Sequence, residues 1–306
     1  MPSQQVCALP ARTSMFLVFT VHDDSASLSA VRKLLADFPG LTRSVSFRAP
    51  SDELIGIVGV GSRLWDQVFP DSRPTSLHPF EEIRGDQYTA VSTPGDLLFH
   101  LRADHIDLCF ELAAHLSSRL DGHAEVVDEV HGFKYFDERD LLGFVDGTEN
   151  PEGDDARKAV TVGAEDPDFL GGSYVIVQKY LHDMTAWNSL STEGQERVIG
   201  RTKVDNIEMS DDVKPSNSHI ALNDISDDDG NDLSILRENM PFGSIGDRDF
   251  GTYFIGYAKD PGITEQMLRN MFLGNPIGNY DRILDFSAAT TGSLYFVPSV
   301  EFLSSL

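Results

Sequence analysis

The feature that most restricts this chain is a strand running straight into an amphipathic helix, written twice in the first half and twice again in the second. "MFLVFTV" (15–21) is β-branched and aromatic enough for a buried strand. The following "SASLSAVRKLLADF" spaces Leu28, Val31, Leu34 and Leu35 as one helical face, with Gly40 expected to end the helix. "GDLLFHLRADHIDLCFELAAHL" (95–116) is the second unit, with Ile106, Cys109, Phe110, Ala113 and Leu116 on one face. The same order returns in 171–200 and in 251–273, where Ile263, Met267 and Met271 fall in line. Two halves that each read strand, helix, strands, strand, helix, strand predict an α+β fold of duplicated ferredoxin-like domains, akin to dimeric α/β barrels, with helices packed on antiparallel sheets. The aperiodic "NPEGDDARKAVTVGAEDPDFLGG" (150–172) sets the boundary, giving domains 1–152 and 153–306.

Charge and cysteines narrow the function classes. With 49 Asp and Glu against 24 Lys and Arg, the formal net charge of -25 makes a surface that repels nucleic acid and anionic membrane. Cys7 and Cys109 form no CxxC, so neither a disulfide framework nor a zinc site is expected. The apolar run 15–21 is far short of a membrane span and follows no basic leader. A soluble, cytoplasmic protein is the expectation.

Several short motifs fail on inspection. In "DISDDDGND" (224–232), placing Gly230 at the turn position of a calcium loop puts Ile225 where the first ligand belongs, so an acidic hairpin turn is expected. "GVGSRL" (59–64) lacks the third glycine of a phosphate-cradling loop. Nine histidines are candidate ligands or bases, and composition does not choose among them.

"GFVDGTENP" (143–151) is more informative. Gly143 and Gly147 bracket Asp146, allowing the backbone to fold tightly around one carboxylate, and Asn150-Pro151 fixes the exit of the loop. On spacing alone, a tight turn and a catalytic carboxylate are equally compatible with it. Downstream, "ILRENMPFG" (235–243) puts Arg237 and Asn239 on one side of a strand. An arginine near Asp146 would favour its ionised form and polarise whatever binds between them.

Together with "SNSHI" (216–220), "GTYFIGYAKDPG" (251–262), "NMFLGNPIGNYDRILDFS" (270–287) and "TGSLYFVPS" (291–299), these segments resemble the dye-decolourising peroxidases, in the order and spacing of that family and over nearly the whole chain. The compact length is similar to the bacterial B-type subgroup. The resemblance implies a haem peroxidase that reduces hydrogen peroxide through an oxyferryl intermediate and oxidises dyes, phenolics or other one-electron donors. The cofactor it implies is non-covalent haem b, in keeping with the absence of a CxxCH.

Carried over by position, His219 is the proximal ligand to the haem iron, Asp146 and Arg237 are the distal pair, and Asn239 assists them. Arg237 also counts among the haem-contacting residues. Asp285 is the expected acceptor for the second ring nitrogen of His219, with Asp281 the weaker choice, and Arg201 is a candidate partner for a haem propionate. A distal carboxylate beside an arginine implies turnover at acidic to mildly acidic pH. Trp65, Trp187, Tyr180 and Tyr280 could pass electrons from bulky donors or simply pack. Homo-oligomers are expected, and "FVPSVEFLSSL" carries no evident encapsulin-targeting peptide. Two other readings share these residues: a haem-handling protein with incidental peroxidase activity, which needs His219 but no proton shuttle, and a haem-free binding module.

Overall fold

A computed structural model describes residues 3–306. One ten-stranded sheet carries the architecture, and its strand pairs are antiparallel. In the first half Ala124–Phe133, Thr13–Val21, Leu97–Ala103 and Ile55–Gly61 lie side by side, and in the second Ser293–Val297, Ser173–His182 and Asp249–Ala258 continue the sheet. Leu236–Arg237 and Met240–Ser244 both pair with Asp249–Ala258 at the far end. The halves join where Tyr295 and Phe296 pair with Gly61 and Val60. Helices Ser25–Ser46 and Ile106–Leu120 cross over in the first half, and Pro261–Leu273 does so in the second. This is the duplicated ferredoxin-like arrangement expected from the repeated strand and helix units.

Alternation along the strands divides the core. Met15, Leu17 and Phe19 pack under the helices, while Phe16 and Val18 face an interior shared with Tyr253, Ile255, Tyr257 and Tyr295. The outer strand Ala124–Phe133 curls toward Met240–Ser244, so the sheet almost closes. Gly132 permits that approach, since a Cβ there would lie 2.4 Å from Cβ of Met240.

Two details differ from the sequence reading. The first helix runs through Pro39 and Gly40 to Ser46, because a stripe of Val31, Leu34, Leu35, Phe38 and Val45 is buried and outweighs the hydrogen bond lost at proline. In the second helix the buried face is Leu108, Cys109, Leu112, Ala113, Leu116 and Leu120, whereas Ile106 and Phe110 point outward. Among the described residues, no helix is long and apolar enough to cross a membrane.

The contact at Gly132 yields a stability prediction. Gly132→Ala forces apart two strands that have no room for a methyl group, and should cost about 1–3 kcal/mol as an overpacking substitution. Urea denaturation measures it; an unchanged midpoint would show that the sheet edges have slack.

Candidate active site

The loop 143–151 takes its shape from glycine. Gly143 (φ 93°) and Gly147 (φ 79°) both occupy the left-handed region. A Cβ on Gly147 would lie 3.0 Å from Nδ2 of Asn150, so this position also makes room for the asparagine. Asn150 then works as a piece of strand: its Nδ2 donates to the Arg237 carbonyl at 2.7 Å and its Oδ1 accepts from the Arg237 N–H at 3.0 Å. The loop bearing Asp146 is thereby locked to the backbone of the residue bearing the guanidinium. The sequence reading saw Asn150 only as the exit of the loop; the Asn-Pro pair was the available signal.

A second amide completes the arrangement. Between Leu236–Arg237 and Met240–Ser244 the ladder to Asp249–Ala258 is interrupted, and the Ile255 N–H donates to Oδ1 of Asn239 at 3.0 Å. With its oxygen so engaged, Asn239 must present Nδ2 on its other side, where it lies 3.0 Å from Oδ2 and 3.3 Å from Oδ1 of Asp146. Nε of Arg237 is buried without a hydrogen-bond partner. The structure thus brings Asp146, Arg237 and Asn239 together at one wall of a cavity.

His219 stands at the start of the short helix His219–Asn223, capped by the buried Ser218. Its Nδ1 donates to Oδ2 of Asp281 at 2.7 Å, and Asn223 bonds the His219 carbonyl at 2.7 Å. Burial disfavours the charged ring, the Asp281 carboxylate favours it through charge and hydrogen bond together, and the sum lies above the ordinary imidazole range. The expected acceptor, Asp285, is corrected to Asp281. Asp281 caps the 3-10 turn Arg282–Asp285 from inside with no solvent exposure, whereas Asp285 at its other end accepts from Tyr88 and Tyr280, each at 3.0 Å, and from Arg282 at 2.6 Å.

His219, Asp146, Arg237 and Asn239 all line one cavity. Its other walls are largely apolar, with Leu142, Phe144, Phe254, Met267, Met271 and Ile283 among them. A second, more polar cleft walled by residues 7–11 reaches Asp146, Arg237 and Asn239 from outside. Arg201 does not line the main cavity: its guanidinium bonds the Asn206 carbonyl at 2.7 Å and pairs with Glu149 and Glu208, so two carboxylates already neutralise it. Trp65 and Trp187 are buried packing residues, Tyr180 is buried and lines the cavity, and Tyr280 is partly exposed beside Asp285.

The residues fit a large flat apolar group held by one metal bond. Nε2 of His219 is the ring nitrogen left available, the walls are largely apolar, and Arg237 lines the same space. Among the described residues no three His, Cys, Asp or Glu side chains gather as a cage for a bare ion. Two further residues line the cavity, His182, one of the nine candidate histidines, and Asp140, which the sequence reading did not single out. His182, bonded to Ser287 and Thr252, is pulled down by burial to a pKa of about 4 and stays neutral. Asp140 accepts from the Phe144 N–H at 3.0 Å, and burial, then the neighbouring Asp146 charge, push its carboxyl up to about 7.

Comparison with known proteins gives the same picture. Residues 4–134 match the model of the N-terminal domain of Dyp-type peroxidases, and residues 137–302 match that of the C-terminal domain. A dye-decolorizing peroxidase of Rhodococcus erythropolis is 60% identical over 95% of this chain and 84% of its own length. The structure of DyPB from Rhodococcus jostii RHA1 superposes with a TM-score of 0.98 at 58% identity, covering 99% of this chain and 98% of that one. A variant of that protein solved in complex with heme matches equally well. The encapsulated DyP-type peroxidase of Mycobacterium smegmatis, seen by cryo-EM, has a TM-score of 0.96 at 57% identity, covering 99% of this chain and 97% of that one.

Asp140 makes the site felt in stability. A carboxyl whose folded pKa is raised contributes stability that is complete below its unfolded pKa and is lost as pH rises through about 7. Thermal melts of the haem-free chain at about pH 5 and pH 8 should therefore fall less for Asp140→Asn than for the parent. Equal falls would show that Asp140 ionises freely in the folded protein.

Proposed function

The chain belongs to the Dyp-type peroxidases, and from that premise we propose how its own residues divide the work. It is a haem peroxidase of the dye-decolourising type. We place the division between the halves at 152/153, so that the Asp146 loop at the end of the first closes over a pocket built by the second.

His219 would hold the haem through Nε2, with no covalent attachment to the chain. Asp281 fixes the ring orientation and, by accepting the Nδ1 proton, makes the opposite nitrogen a stronger electron donor. The apolar walls would pack against the haem and exclude water from around His219. Bound haem supplies the iron to which peroxide attaches and the capacity to take up two oxidising equivalents and return them to donors.

The distal residues manage the proton. Peroxide entering along the polar cleft meets Asp146 and Arg237 first. Asp146 accepts the proton from the inner oxygen and donates it to the outer one, which leaves as water. The hydrogen bond from Asn239 holds the carboxylate still for both transfers. Arg237 faces the outer oxygen and stabilises the negative charge that grows on it as the O–O bond breaks. The observation that carries this reading is the shared cavity, lined at once by an imidazole and by a carboxylate, an amide and an under-bonded guanidinium. A protein that only carries haem needs the imidazole and has no use for the rest.

Peroxide and small one-electron donors are the partners we assign, together with further copies of the chain. The free thiols Cys7 and Cys109 suit a reducing, cytoplasmic setting.

Stopped-flow mixing with peroxide tests the roles. Asp146→Ala should slow the reaction by about 10²- to 10⁴-fold, and Arg237→Leu by about 10²- to 10³-fold, with the Soret band retained in both. His219→Ala should lose that band. Parent rates in both distal variants would remove Asp146 and Arg237 from the mechanism.

A further inference from the structure

No described residue before Asp140 lines the main cavity, so residues 4–134 give it no side chain. Besides the residues 7–11 that wall the outer cleft, they reach the distal strand through a buried ion pair. Glu238 lies between Arg237 and Asn239; it does not line the main cavity, and from the wall of the outer cleft its carboxylate turns to the interior between the halves. There it pairs with Arg102, the penultimate residue of the strand Leu97–Ala103. The Arg102 side chain has no solvent exposure and that of Glu238 has 6%. The other arm of the Arg102 fork donates to the Gln5 carbonyl at 2.6 Å, in an N-terminal segment anchored by Gln4 and the buried Val6. Residues 7 and 8, just beyond, form part of the wall of the outer cleft.

We propose that the Arg102–Glu238 pair is a positioning device for the distal site, through which the first half of the chain sets the direction in which Arg237 and Asn239 face Asp146. The inference rests on the roles assigned above to those residues. Two observations beyond the pairing support it. The ladder is interrupted at 238–239, where Asn239 lends its side-chain oxygen to the Ile255 N–H, and the Glu238 N–H holds the Ile255 carbonyl at 3.1 Å. Regular strand pairing therefore does not fix the pleat at this point, and a side-chain anchor on the opposite face supplies the missing constraint. A buried ion pair is also a poor source of net stability, because desolvation offsets most of the attraction. What a buried pair does supply is orientation, since a guanidinium fork bonded to both a carboxylate and a carbonyl admits few geometries.

The experiment uses the haem-loaded full chain, with Arg102→Met, Glu238→Gln and, as a control for general destabilisation, Asp96→Asn. Asp96 is a buried carboxylate of the first half, bonded to the Val21 N–H at 2.8 Å and paired with Arg63, far along the sheet from the distal site. Measured for each are Tm, haem content, the bimolecular rate with peroxide, the association rate of cyanide, which also needs a distal proton acceptor, and KM for a dye. The expected result is full haem content and unchanged dye KM, with both distal rates falling 10-fold or more in Arg102→Met and Glu238→Gln. Asp96→Asn should lower Tm and leave both rates alone. If Arg102→Met does not fold, Glu238→Gln, which keeps shape and removes only charge, decides the matter. Parent rates in Glu238→Gln, or an equal loss in Asp96→Asn, overturn the proposal. Asp146→Ala measured in parallel separates this from the underlying reading: if it too keeps the parent rates, the assigned distal roles fail rather than the strut.

Discussion

Two side-chain amides, Asn150 and Asn239, take over hydrogen bonds that a continuous β-ladder would have made, and the distal groups take their places from that substitution. Asn150 pairs with both backbone groups of Arg237, and Asn239 accepts from the Ile255 N–H while donating to Asp146. An amide has distinct donor and acceptor ends, so each bond to the backbone dictates what the other end offers. The catalytic loop, the arginine strand and the central strand Asp249–Ala258 are thus tied at one point. Had the ladder run unbroken, Asn239 would have no backbone N–H to receive and nothing to orient it.

The opposite wall follows a different logic. His219 is held by a carboxylate that solvent does not reach, and Asp281 is itself fixed by the Ile283 N–H at 2.9 Å and by its own N–H to the Met271 carbonyl at 2.9 Å. The imidazole is therefore set by the turn after the last long helix, while the distal groups are set by the sheet. The cavity lies where these two supports face one another, and its apolar lining comes from both.

Much of this was legible in the residues. The repeated strand and helix units carried the fold, because period-two and period-3.6 burial persist wherever an element lies on one core. Asp146 stood out through glycine placement, Arg237 and Asn239 through their alternation in a strand, and His219 only through the family resemblance. The choice between Asp281 and Asp285 did not, since four residues apart on a 3-10 turn they differ only in which side of the turn faces inward. Asn150 was visible as part of an Asn-Pro exit, yet its role depends on a partner 87 positions away. Arg102 and Glu238 look like ordinary charged residues in the sequence, and only their shared burial makes them informative. The overrun of the first helix past Gly40 shows tertiary burial overriding a local stop signal.

The central claim is that this cavity holds haem on His219 and lets peroxide react under the control of the distal residues. An absorption titration of the haem-loaded chain with peroxide tests it most directly. The account predicts a Soret band that changes fully at one equivalent of peroxide and returns on addition of a one-electron donor. A band that persists unchanged through several equivalents, or is absent from the loaded chain, would contradict it.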